Sequence, residues 1–93
     1  MFNAESAELF ALQVFEFIAS SDEQLERFMS VSGFEPGSLG VALQTRGGLA
    51  GLLEYLCGDE SLLLAFCETA KVSTHAPAQA LAALQRPATT GAL

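Results

Sequence analysis

Apolar and polar positions follow helical spacing along nearly the whole chain. Ala7, Phe10, Ala11, Val14, Phe15 and Ile18 recur at intervals of three and four, which places them on one stripe of a helix, while Glu5, Glu8, Gln13 and Glu16 take the other side. Asn3 is placed to cap this helix, predicted over Ala4–Ala19. Leu9, Leu12 and Phe17 fall off the stripe, so the helix is apolar over more than half its circumference and is expected to be central. Ser20-Ser21-Asp22 breaks the pattern, and Ser21 followed three residues later by Gln24 reads as a capping box opening a second helix, Asp22–Ser32. Leu25, Phe28, Met29 and Ser32 mark its inward face, and Gly33 supplies a left-handed stop from which Phe34 folds back.

Pro36 opens a third helix through Leu39, Ala42 and Leu43 that ends by Arg46, weakened by Gly37 and Gly40. Gly47-Gly48 reads as a turn. Leu49, Leu52, Leu53 and Leu56 then form a fourth helix stopped by Gly58, and Asp59 caps a fifth. Leu62, Leu63, Phe66, Cys67 and Ala70 line that fifth helix, with Glu60, Glu68 and Lys71 outward and Leu64 left on the exposed side. A last, Ala-rich helix starts at Thr74 or Ala76 and runs to about Gln85, with Pro77 in its first turn and Leu81 and Leu84 facing in. The expected architecture is all-α: a compact bundle of five to six short helices in one domain, residues 1–86, followed by a flexible tail, 87–93.

The pattern contains an echo. Phe15-Glu16-Phe17-Ile18-Ala19-Ser20-Ser21-Asp22-Glu23-Gln24-Leu25 recurs as Leu53-Glu54-Tyr55-Leu56-Cys57-Gly58-Asp59-Glu60-Ser61-Leu62, with one residue fewer at the turn. Two copies are too few for a solenoid, which needs about three repeats to bury its faces. The echo predicts two similar helical hairpins closing on each other, with Asp22 and Asp59 at equivalent helix starts.

Composition narrows the classes of function. Ninety-three residues leave room for one core. The chain is 51% hydrophobic, yet Glu, Gln or Gly interrupts every apolar run before the roughly 18 residues needed to span a bilayer. Leu9 to Ile18 resembles a signal-peptide core only superficially, since Glu5 and Glu8 stand where Lys or Arg would. A cytoplasmic location is expected. Eleven acids against four bases give a net charge of -7, a field that repels phosphate backbones and anionic lipid, so neither nucleic acid nor membrane is the expected partner. Cys57 and Cys67 read as small buried hydrophobes kept reduced, with a Cys57 to Cys67 disulfide as the alternative.

No constellation of residues forms an active site, a cofactor site or a metal site, and the chain is expected not to be an enzyme. His75, the single histidine, sits at a helix start beside Ser73 and Thr74 and reads as a surface or capping residue rather than a general base. Asp22-Glu23 and Asp59-Glu60 are explained by helix starts rather than by metal binding. Gly47-Gly48 lacks the Lys of a phosphate-binding loop. Leu25 to Leu43 has the punctuation of a helix-turn-helix, but between Pro36 and Gln44 only Ser38 and Gln44 could read a base.

Two resemblances follow from these motifs. Over about Ser21 to Gly58, the Ser32-Gly33-Phe34 loop and the Glu54-Tyr55-Leu56 ending resemble a ubiquitin-associated domain. Ser32 replaces the loop methionine that supplies part of that family's docking surface, so the likeness implies a shape and no ubiquitin binding. Over nearly the whole length, Ala11-Leu12-Gln13-Val14-Phe15 to Ile18, Asp22 to Phe28, Gly33-Phe34-Glu35-Pro36, Glu54-Tyr55-Leu56 and Asp59-Glu60 to Phe66-Cys67 resemble the bacterial family named domain of unknown function 3572. That resemblance implies a small helical protein and carries no catalytic residues with it. Glu35 stands where the family would place Asp, a weaker cap for the third helix.

Leu9, Leu12, Phe17, Tyr55 and Leu64 exceed what one small core is expected to absorb. Leu12, Phe17, Tyr55 and Leu64 are therefore the candidate patch for a protein partner or a homodimer, and a non-enzymatic interaction module is the expected function. The alternatives are a carrier of a small apolar ligand, held among Phe10, Phe28, Met29 and Phe66, and a helix-turn-helix DNA-binding protein.

Overall fold

The computed structural model describes residues 2–85, so the expectation of a flexible tail over 87–93 lies outside the described residues. Within them the chain forms six helices: α1 Ala4–Ala19, α2 Asp22–Ser32, α3 Pro36–Ala42, α4 Arg46–Cys57, α5 Glu60–Ala70 and α6 Ala76–Gln85. The fold is all-α.

Local chemistry accounts for most of the boundaries. Asn3 Oδ1 accepts from the Ser6 N–H at 2.8 Å while the Asn3 N–H donates to Ser6 Oγ at 3.0 Å, a full capping box at the start of α1. At α2 only half of the expected box forms. The Gln24 N–H donates to Ser21 Oγ at 3.3 Å, but Gln24 Oε1 is shut away from solvent without a hydrogen-bond partner. Gly33 closes α2 at φ 79°, the left-handed geometry in which a Cβ would be strained. At α3 the Glu35 N–H donates to Ser38 Oγ at 3.3 Å, so a serine hydroxyl assists the weak cap.

Gly47 and Gly48 do not form a turn. They lie in the first turn of α4, which begins at Arg46 under a Thr45 cap whose hydroxyl accepts from the Gly48 N–H at 2.9 Å. Gly48 passes so close to the preceding helix that a Cβ there would run into the carbonyl oxygen of Ala42. The glycine serves a close backbone approach, and the tight connection between α3 and α4 follows from it. Helix α5 ends on Lys71 at φ 59°, a left-handed stop made without glycine.

Helices α1, α4 and α6 pack against one another and form the centre. The expected central helix is thus one of three, and the Ala-rich α6 supplies the third wall because Ala80 and Ala83 let the helix axes approach closely. Gln85 Nε2 donates to Glu54 Oε2 at 2.9 Å and ties α6 to α4 at the surface. Ala7, Val14, Ile18, Leu52, Leu53 and Leu56 fill the centre, and no polar or charged side chain is buried among the described residues.

The two hairpins of the echo are α1 with α2 and α4 with α5. Ile18 and Leu56, equivalent in the echo, are both fully buried. Phe17 and Tyr55, equivalent too, each reach across to the other hairpin's second helix. Phe17 meets Phe66 of α5 edge to face at 5.5 Å, and Tyr55 meets Phe28 of α2 in the same way at 5.1 Å. The missing turn residue in the second copy moves the capping role: Ser21 caps α2 and Asp22 follows it, whereas Asp59 itself caps α5 by accepting from the Leu62 N–H at 3.2 Å. The equivalent caps are therefore Ser21 and Asp59, not Asp22 and Asp59.

Candidate functional site

Helix α2 walls depressions in the surface on two of its sides. On one side it faces the start of α5 across a cleft of about 430 Å³, where Ser21, Gln24 and Arg27 stand opposite Asp59 and Ser61, with Phe17 and Leu62 also lining it. The cleft passes Arg27 into a second hollow of about 550 Å³ that adds Val31, Glu54, Tyr55 and Glu60. The two cap oxygens, Ser21 Oγ and an Asp59 carboxylate oxygen, already hold the Gln24 and Leu62 amides, and carboxylates outnumber the single Arg27. An anion has little to hold it there.

On its other side α2 is separated from α3 by a groove of about 530 Å³ lined by Leu25, Glu26, Met29, Ser30 and Leu39. Leu25, Met29 and Leu39 are half-buried and rest on the core with their outer surfaces in the groove. Helix α3 lies between α2 and α4 in chain order and rests on α4. Sequence pattern alone marked Leu25 and Met29 as inward positions of α2 but gave no sign that the neighbouring helix stands off.

The residues singled out from the sequence separate into two groups. Leu12 is 38% exposed and Leu64 48%, whereas Phe17 and Tyr55 are half-buried in their ring pairs. Three further apolar side chains stand further out: Leu9 at 60%, Val31 at 67% and Val41 at 66%. Phe10 and Phe66 pack ring to ring at 5.5 Å, Phe28 packs against Tyr55 and Phe34, and Met29 lies in the α2–α3 groove.

His75 is exposed. Its N–H donates to Ser73 Oγ at 3.1 Å, and its carbonyl accepts the Gln79 N–H at 3.0 Å as α6 begins. Among the described residues no group of three or more His, Cys, Asp or Glu side chains is placed to hold a metal ion. Both cysteines are free thiols. Cys67 is buried and its thiol reaches the Ser73 carbonyl at 3.5 Å, while Cys57 is half-buried near the end of α4. Burial pushes the Cys57 thiol above its ordinary value, helped by the neighbouring Cys67 and Glu54, and burial alone does the same for Cys67. Such thiols are poor nucleophiles. No helix among the described residues is long and apolar enough to cross a membrane.

A family described as protein of unknown function, DUF3572, matches residues 4–87, which includes all six helices. The chain belongs to this family. The match spans both hairpins, the α3 connection and α6, so the three-helix centre and the aromatic pairs lie within the family's unit. No curated protein and no solved structure matches the chain.

Proposed function

We propose that this DUF3572 protein is a non-enzymatic protein–protein interaction module acting in the cytoplasm. One observation carries the reading: Leu9, Leu12, Val31, Val41 and Leu64 stand in water around a core that Phe10, Phe28, Leu52, Leu53, Leu56 and Phe66 already close. Side chains that packing does not need, on a body this small, are explained by a surface that a second protein covers. The net charge of -7 favours a partner of opposite sign.

The test is affinity purification of the tagged protein from its own cells under crosslinking, alongside sedimentation of the isolated chain. The expected result is one protein partner recovered in stoichiometric amount, and a monomer when purified alone. A monomer that recovers no protein in stoichiometric amount would remove the reading.

A further inference from the structure

We infer that the groove between α2 and α3 receives an amphipathic basic helix of a partner protein. The assignment rests on the interaction reading above and adds to it the surface and the chemistry of what binds there. Leu25, Met29 and Leu39 give the groove an apolar floor. A methionine in such a floor adapts its rotamer to the side chain it meets. The wall on the α2 side is acidic. Asp22 and Glu26 stand one turn apart beside Leu25 and Met29, and Glu26 lines the groove itself. On the α3 side Glu35 lies one turn before Leu39, with its carbonyl accepting the Leu39 N–H at 3.1 Å.

Arg27, the single base of α2, turns to the opposite side and lines the cleft toward α5. Glu26 is the charged residue that lines the groove, with Asp22 one turn before it on α2, and the partner that complements them carries Lys or Arg beside apolar anchors. A helix meets both demands, because residues three and four apart place apolar side chains on one face and bases on its flanks. A second copy of this chain does not fit, since it would bring another acidic rim and a further charge of -7 against this one.

The probe is a labelled peptide of about 14 residues, built with Leu at spacings of three and four and Lys on the flanks, titrated into the full chain. Binding is followed by fluorescence anisotropy and by amide chemical shifts. The expected result is saturable binding that moves the amides of Leu25, Glu26, Met29, Ser30 and Leu39, and that weakens about tenfold in Met29→Glu. Glu26→Lys, an exposed change that leaves the core untouched, is expected to weaken binding about fivefold at low salt and much less at high salt.

Equal binding of a scrambled peptide of the same composition would mean general attraction to an acidic surface and would overturn the proposal. Shifts centred on Leu9 and Leu12, or on Leu64, overturn it while leaving the interaction reading in place. Absence of binding overturns it as well, and the interaction reading falls with it only if the purification from cells also recovers nothing. A dimer in sedimentation that Met29→Glu dissociates would assign the groove to self-association instead.

Discussion

Cys57 is the last residue of α4 and Cys67 lies in the last turn of α5, and their protonation is coupled to folding. A thiol is neutral when protonated, so burial disfavours the thiolate and raises both folded values above the ordinary 9.0. Below 9.0 both folded and unfolded chains hold these protons, and the contribution to stability is fully present. As pH climbs above that value the unfolded chain releases protons that the folded chain still holds, so stability falls with rising pH until the folded thiols titrate in turn. Urea unfolding between about pH 8 and about pH 10.5 is expected to show this decline, with a shallower slope in Cys57→Ala than in wild type. An unchanged slope in Cys57→Ala would show that Cys57 contributes nothing to it. At the same scale, Lys71 shows why one helix end escaped the sequence: a lysine at φ 59° obeys no propensity, whereas Gly33 at φ 79° follows the expected one.

Helices α1 and α2 were legible to the residue because Asn3, Ser21 and Gly33 act locally, through hydrogen bonds and backbone freedom that belong to the segment itself. The start of α4 was not, because Gly47-Gly48 is a turn by local rules and a helical turn by tertiary ones. The same physics makes the glycines of α4 unequal. At Gly51 an added Cβ meets nothing within 4 Å, so Gly51→Ala is expected to stabilise the protein by about 0.5–1 kcal/mol through helix propensity. At Gly48 the Cβ meets the Ala42 carbonyl, which is backbone and cannot swing aside, and Gly48→Ala is expected to cost about 2 kcal/mol or more. Thermal melts of the two variants give opposite shifts, and equal shifts would mean that the α3–α4 approach relaxes freely. The α2–α3 groove escaped the sequence for a related reason. Periodicity identifies the apolar side of α2, but where α3 sits depends on how Gly48 lets it lie against α4.

The whole molecule is layered, with α1, α4 and α6 in mutual contact and the second helix of each hairpin pinned from outside by rings. Phe66 lies edge to face with both Phe10 and Phe17, at 5.5 Å in each case, and so fastens α5 to α1. Phe28 does the same for α2 through Tyr55. Sequence periodicity placed Phe10, Phe28 and Phe66 on inward faces, and the echo placed Phe17 and Tyr55 in equivalent positions, yet nothing in the pattern stated that each crosses to the other hairpin. Truncating Phe66, which is 2% exposed, is expected to cost about 3–5 kcal/mol. That is a large share of the roughly 5–14 kcal/mol available to a chain of 93 residues. The loss should also be local in character. Because α5 is held to α1 by this side chain, native-state hydrogen exchange in Phe66→Ala is expected to accelerate in α5 before it does in α1, α4 and α6. Uniform acceleration across all six helices would instead show one cooperative unit, in which the outer helices share the full stability of the centre and the rings merely contribute to it.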